Sequence, residues 1–277
     1  MTHPALNADS VAVVTGGASG IGLAIATRFA SLCMRVVVVD RDADALAAAE
    51  APLRAHGAAD VMLETVDVTD RAQLVALESR VADRFGGTDI LVNNAGVGQR
   101  SACLGAPAPW TTMLDVNLWG PINGTQVFSE RMLARGRPGA IINTGSKQGI
   151  TTPPGNPGYN VSKAALKAFT EALAHELRNA DNPTLSAHLL VPGFVHTPMI
   201  GLAEKPSEAW TPEQTADFLI DSLSRGDFYI LCPDNETPRE RDERRVAWAV
   251  GDLIENRPPL SRWHPDFADS AKRFIDG

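Results

Sequence analysis

Apolar positions along the chain alternate between two patterns. Short, nearly continuous runs rich in β-branched residues stand at Val11–Val14, Arg35–Val39, Val61–Val66, Ile90–Val92, Ile141–Ile142, Ser186–Val191 and Phe228–Leu231. Runs of this kind suit strands buried on both faces of a parallel sheet. Between them, apolar residues recur at helical spacing, as in Ile21, Ile25, Phe29 and Leu32, or Leu74, Leu77, Val81 and Phe85. Further helices are expected over Ala43–Arg54, Pro109–Ala134 and Tyr159–Asn179. The alternation predicts an α/β fold, doubly wound, with a parallel sheet covered by helices on both faces. No repeat, low-complexity stretch or linker divides the chain, so one domain is expected over 1–277. Its sheet-bearing core spans 10–231, and 232–277 is read as a C-terminal helical extension.

Local signals sharpen some boundaries. Thr211-Pro212-Glu213-Gln214 has a capping Thr, Pro at the first helical position and Gln to close a capping box. Thr237-Pro238-Arg239-Glu240 repeats the signal and opens a charged helix, whose inner face is expected to carry Val246, Val250, Leu253 and Ile254. Trp248, Trp263 and Phe267 are candidate anchors for this extension. Within Pro109–Ala134, Pro121 cannot donate to the Asn117 carbonyl. A kink is expected there, leaving that carbonyl for another partner such as water.

Candidate chemistry begins after the first strand. Thr15-Gly16-Gly17-Ala18-Ser19-Gly20-Ile21-Gly22 joins a strand to a helix. Such a turn gathers backbone N–H groups and a helix N-terminus into an anion site, and glycine lets a phosphate approach the backbone. The glycines spell GxxxGxG rather than GxGxxG. The second strand ends in Asp40, where a dinucleotide-binding unit places a carboxylate against the adenosine ribose. An acid there disfavours a 2′-phosphate, so NAD is expected over NADP; Arg41 beside it softens that preference. Asn93-Asn94-Ala95-Gly96 follows the fourth strand, at the sheet end where open parallel sheets bind ligands.

The fifth run delivers Ser146, and a Pro- and Gly-rich loop leads from it to Tyr159. Tyr159 and Lys163 lie one helical turn apart on one face. A lysine beside a phenol favours the phenolate and suits acid–base work near neutral pH.

Bulk properties narrow the partners. The net charge of −8 argues against nucleic acid or an anionic membrane surface. Cys33, Cys103 and Cys232 are isolated, without metal-ligand spacing, so no metal site is expected and reduced thiols in the cytoplasm are. The stretch from Met1 to Ser10 shows no signal peptide, and no apolar run is long enough to span a membrane.

Taken in order, TGGASGIG at Thr15–Gly22, Asp67-Val68, Asn93–Gly96, Asn117, Ser146, Tyr159/Lys163 and Pro192-Gly193 with Thr197 resemble the short-chain dehydrogenase/reductase family over Ser10–Leu231. The resemblance implies a Rossmann-like, about seven-stranded parallel sheet, a nicotinamide cofactor and a homodimer or homotetramer. In many members the helices matching Pro109–Ala134 and Tyr159–Asn179 form an intersubunit bundle. Val127, Phe128, Met132, Leu166, Phe169 and Leu173 could serve either that bundle or the core.

The implied roles are as follows. Tyr159 is the acid/base, Lys163 lowers its pKa and holds the nicotinamide ribose, Ser146 bonds the substrate oxygen, and Asn117 positions a water toward Lys163. Gly16, Ser19, Gly20, Ile21 and Gly22 meet the phosphates, Asp40 and Arg41 the adenosine end, Asp67 and Val68 the adenine. Asn94, Ala95, Gly96, Pro192 and Gly193 border the cofactor, with Val195 and Thr197 at the nicotinamide amide.

The expected activity is NAD-dependent hydride transfer with a secondary alcohol or ketone. An NADPH-preferring carbonyl reductase is the alternative, which Arg41 supports and the lack of a basic residue at Ala18 or Ser19 opposes. A non-catalytic nucleotide-binding protein on the same fold is a third reading, opposed by the intact Asn117, Ser146, Tyr159 and Lys163 set. Around Ser146, the residues Gln148, Ile150, Phe194, His196 and Trp210 are candidates for an apolar, medium-sized substrate pocket. His175 and His188 are expected to be structural.

Overall fold

The apolar runs become strands in the computed structural model, which describes residues 3–181 and 183–277. The expected leaderless start begins with Met1 and Thr2, which lie outside the described residues. The first half runs β1 (Val11–Thr15), α1 (Gly20–Ser31), β2 (Arg35–Asp40), α2 (Ala43–Ala55), β3 (Asp60–Thr65), α3 (Arg71–Phe85) and β4 (Ile90–Asn93). It continues with α4 (Ala108–Leu114), α5 (Gly120–Ala134), β5 (Gly139–Thr144), α6 (Gln148–Thr151), α7 (Pro157–Arg178) and β6 (Leu185–Val191). The last elements are α8 (Pro212–Arg225), β7 (Tyr229–Leu231), α9 (Arg239–Ile254) and α10 (Ala268–Asp276).

Among the described residues, seven strands pair in parallel as one sheet, in the order β3-β2-β1-β4-β5-β6-β7. The central strands bury both faces, which is why their sequences are nearly continuously apolar, while the edge strands β3 and β7 are partly exposed. Ala12 and Val14 of β1 face α1, α2 and α8, where Ile25, Phe29, Leu53 and Leu219 fill the layer. Val11 and Val13 face α3, α5 and α7, through Leu74, Leu77, Phe128 and Leu177. The four β1 residues are at most 1% exposed, and burying one valine side chain contributes about 1.5–3 kcal/mol. Strand order reverses between β1 and β4, so the loops leaving them part and open a crevice at the carboxyl ends of the strands.

Two local expectations take a different form. The Pro121 kink is a π-helical turn over Asp115–Trp119, in which Gly120 N–H donates to Asp115 O. The extra residue rotates Asn117 fully inward, at 0% exposed. Thr211 and Gln214 close their capping box on α8, but Thr237 does not cap α9. The residue before that helix is Pro238, while Thr237 is buried and its hydroxyl accepts from Arg245.

The inner face of α9 also differs. Trp248 and Gly251 are buried there, whereas Val250, Leu253 and Ile254 are 50%, 86% and 76% exposed. Trp248 and Gly251 are three apart and share a face; Val250 sits two residues on and points away. Trp248 is the largest side chain and sets the orientation. Its indole donates to Ser261 Oγ at 2.8 Å, and the Arg257 guanidinium lies 4.0 Å from its ring centroid. Phe128, Met132 and Leu166 belong to the core, at 2% exposed or less.

Candidate active site

The crevice is a cleft of about 840 Å³ across the carboxyl ends of the central strands. Its glycine-rich wall follows β1. Gly16 and Gly20 have φ of +60° and +52°, in the left-handed region that favours glycine. A Cβ on Gly16 would lie 2.7 Å from Ala95 Cα, and one on Gly22 would lie 2.1 Å from Gly16 O. Gly16, Ser19, Gly20 and Ile21 line the cleft. Gly22 does not; it lies behind the turn, where only a hydrogen lets α1 close onto the Gly16 carbonyl. Ser19 precedes α1 and makes no side-chain cap bond, so the helix N-terminus presents free N–H groups to the cleft.

The turn is braced from β4. Asn94 Nδ2 donates to the carbonyls of Thr15 and Gly16 at 3.2 and 3.1 Å, and its Oδ1 accepts from Thr144 Oγ1 at 3.3 Å. Thr15 Oγ1 accepts from the N–H groups of Asn94 and Ala95 at 3.0 and 3.2 Å. At the far end of the cleft, Asp40 accepts from Ala18 N–H at 3.2 Å. Arg41, Asp67 and Val68 complete that end. Asn94, Ala95, Gly96, Pro192, Gly193, Val195 and Thr197 line the remainder.

β5 and α7 bring the reactive side chains to one wall. Ser146 leaves β5 and accepts the Gln148 N–H at 3.1 Å. Tyr159 and Lys163 stand on the first turns of α7, with Lys163 Nζ 5.9 Å from the Tyr159 ring centroid. Lys163 is 4% exposed and donates to Thr144 O at 2.7 Å. Burial lowers its pKa to about 8. Burial raises the Tyr159 phenol above its ordinary value, and a hydrogen bond with Ser146 pulls the other way. The expected lowering of the phenol is therefore absent from the protein on its own. Gly149 holds the two segments together: a Cβ there would meet the Lys163 carbonyl carbon at 2.6 Å.

Asn117 is placed behind this wall and does not line the cleft. Its Oδ1 accepts from Val97 N–H at 2.8 Å, and its Nδ2 donates to Val97 O and Ser162 Oγ at 2.9 and 3.1 Å. Ser162 donates in turn to Tyr159 O at 2.8 Å. The side chain thus ties the loop after β4 to the tyrosine's own turn. Sequence reasoning missed Thr15, Thr144 and Ser162; the position of Ser162 beside Lys163 was the available signal.

The residues expected around a substrate gather only in part. Ser146, Gln148 and Phe194 line the cleft, joined by Met199. Ile150 instead packs against Leu189, Val191 and Leu231. Trp210 turns away to stack on Phe218, 5.9 Å between ring centroids, because its backbone is tied to residues 194–196. His196 folds over its own loop, with Nε2 2.9 Å from Leu202 O. His188 is structural, held between Asp227 O and Ser186 Oγ. Among the described residues, no group of three acidic, His or Cys side chains can hold a metal, and no helix is long and apolar enough to cross a membrane.

The chain's own features fit a dinucleotide: a tight glycine turn whose Gly16 and Gly20 take left-handed backbone, an open helix N-terminus and a strand-end carboxylate. Comparison with known proteins agrees. The family model described as short chain dehydrogenase matches residues 10–207. A 1-deoxy-11-beta-hydroxypentalenate dehydrogenase of Streptomyces avermitilis is 34% identical, over 86% of this chain and 90% of that relative. A galactitol 2-dehydrogenase of Rhizobium johnstonii is 37% identical, over 71% of this chain and 76% of that relative. Among solved structures, a short-chain dehydrogenase/reductase from Burkholderia phymatum in complex with NAD superposes with a TM-score of 0.82 at 31% identity, covering 90% of this chain and 96% of that one. The chain belongs to the short-chain dehydrogenase/reductase family and is an oxidoreductase with that family's Rossmann-like fold.

Proposed function

We propose that the protein is an NAD-dependent dehydrogenase that interconverts a secondary alcohol and its ketone. The observation that carries this reading is the meeting of Ser146, Tyr159 and Lys163 on one wall of a cleft whose other end carries Asp40. Bound nicotinamide supplies hydride acceptance or donation. Tyr159 Oη takes the proton of the substrate hydroxyl in oxidation and returns it in reduction. Ser146 Oγ donates to the substrate oxygen and steadies the charge that develops there. Lys163 holds the cofactor ribose and, as a buried cation beside the phenol, favours the phenolate. Asn117 and Ser162 fix the turn that carries Tyr159. Asp40 would accept from the adenosine ribose hydroxyls, with Asp67 and Val68 at the adenine. Thr197 and Val195 would meet the amide, and Phe194, Gln148 and Met199 the substrate.

A second reading, an NADPH-preferring reductase, draws support from Arg41, which lines the cleft beside Asp40. A homodimer or homotetramer and a cytoplasmic setting belong to the same proposal. A panel of secondary alcohols assayed with NAD and NADP by nicotinamide absorbance tests it, with Tyr159→Phe as the control. Turnover in the wild type that Tyr159→Phe lowers by about 10²–10⁴-fold is expected; equal turnover in both proteins rules out the catalytic assignment.

A further inference from the structure

A second cavity of about 160 Å³ lies beside the cleft, and Lys147 and Gln148 line both. Ile150 and Val246 give it an apolar side. The C-terminal extension gives it a cationic one, through Arg245 on α9 and Arg262 beyond that helix.

The charges there do not cancel. Lys147 Nζ lies 3.1 Å from Asp234 and 2.5 Å from Asp242, so it is satisfied. Asp242 is the one carboxylate on the wall, and it also lies 3.7 Å from Arg245. Burial pushes the Asp242 carboxyl above its ordinary value, against the pull of Lys147 and Arg245, and its charge is already shared between those two cations. Arg245 donates to Thr237 Oγ1 at 3.1 Å, yet its Nε is buried without a partner. Arg262 leans on the Trp263 ring at 4.9 Å; among the described residues its guanidinium makes no hydrogen bond or ion pair, and Asp276 and Asp242 act on it only through space. Burial and the nearby Arg245 and Arg241 hold Arg262 below the ordinary guanidinium value. A half-buried cation with open donors is costly unless an anion arrives. The planar fork of a guanidinium matches a carboxylate. The apolar side and small volume suit the hydrocarbon next to that carboxylate better than a hydrated inorganic anion.

We infer that this cavity is an anion subsite that receives a carboxylate carried by the substrate, so that the preferred alcohol is a hydroxy acid whose hydrocarbon body lies along Ile150 and Val246. This rests on the dehydrogenase reading above.

The test compares hydroxy acids of graded chain length, bearing the hydroxyl on the penultimate carbon, with their methyl esters. At the best length, kcat/KM for the acid is expected to exceed that for the ester by at least about tenfold. Arg262→Gln should erase that preference, and Arg178→Gln, on the exposed end of α7, should keep it. Equal rates for acid and ester at every length, or a preference that survives in Arg262→Gln, overturns the subsite. Calorimetric titration of the full chain with hexanoate reads the subsite without turnover. Binding by the wild type that weakens about tenfold in Arg262→Gln supports it, and no binding, or equal binding by both proteins, overturns it. Loss of turnover with every alcohol would instead defeat the dehydrogenase reading, leaving the titration to decide the subsite.

Discussion

Lys147, the residue after Ser146, is paired with Asp234, three residues past the last strand, at 3.1 Å. The pair sits against Gly193: a Cβ on that glycine would lie 2.7 Å from Asp234 Oδ2 and 2.8 Å from Lys147 Nζ. Asp234 also accepts the Phe194 N–H at 3.4 Å. Burial alone would raise the Asp234 carboxyl, but Lys147, Thr237 and Phe194 together hold it below its ordinary value. One carboxylate thus ties the Ser146 segment, the loop after β6 and the C-terminal extension together.

Asp234→Asn keeps the shape and removes the charge. Lys147 retains Asp242, so the loss of stability is expected to be about 1–3 kcal/mol, read by denaturant unfolding, with a parallel fall in kcat/KM as the Ser146 and Phe194 segments loosen. An unchanged unfolding midpoint would show the tie to be dispensable.

The phenol and the lysine set the pH response. With Tyr159 raised and Lys163 lowered to about 8, the neutral phenol dominates near neutral pH. Oxidation needs the phenolate and reduction needs the phenol. Oxidation kcat/KM should therefore rise with pH across the neutral range, while reduction stays level until the phenol itself begins to titrate. Two flat profiles would remove Tyr159 from proton transfer.

Lys163 also burdens the fold. A buried amine with a lowered pKa costs stability at every pH below about 8. That cost is relieved as pH rises from there toward its unfolded value, because the unfolded chain then binds the extra proton. Lys163→Met should abolish turnover. Relief of a charge cost of roughly 3 kcal/mol is offset by loss of the bond to Thr144 O, so the thermal midpoint at neutral pH should be no lower than that of the wild type. A clear drop would mean that the Thr144 bond outweighs the buried charge.

Asp40→Asn retains an acceptor for the Ala18 N–H and removes the charge that repels a 2′-phosphate. The NADP-to-NAD ratio of kcat/KM should rise by about tenfold or more. No change in that ratio would reduce Asp40 to a strand-end brace.

Gly22→Ala places a methyl 2.1 Å from Gly16 O and 2.5 Å from Asn94 Nδ2. Backbone must move, at a cost of about 1–3 kcal/mol, and the cradle should open with it. Expected are a lower melting temperature and weaker cofactor binding by fluorescence titration; wild-type values for both would show that α1 absorbs the shift.

What the sequence revealed and what it hid divide along a physical line. The seven strands, the glycine turn and the Tyr159–Lys163 face are local: each follows from the residues of one segment and the period of its own backbone. His196 and Trp210 lie away from the cleft because loop side chains answer to distant partners: Leu202 for His196, Phe218 for Trp210. Thr237 carried the same local signal as Thr211, but Arg245 engaged its hydroxyl from within α9. The α9 face was misread because its many apolar residues gave no clue that a single indole would decide the orientation.

The contact between Gly149 and the Lys163 carbonyl works as a clasp between the serine arm and the tyrosine helix. It bridges the two ends of the 150–158 segment, so the relative position of the two reactive hydroxyls does not depend on the path the chain takes between them. Pro154 and Gly155 are exposed at the crest of that path and line neither cavity. Under the proposed roles, the clasp holds the spacing of the two hydroxyls whatever the crest of the segment does.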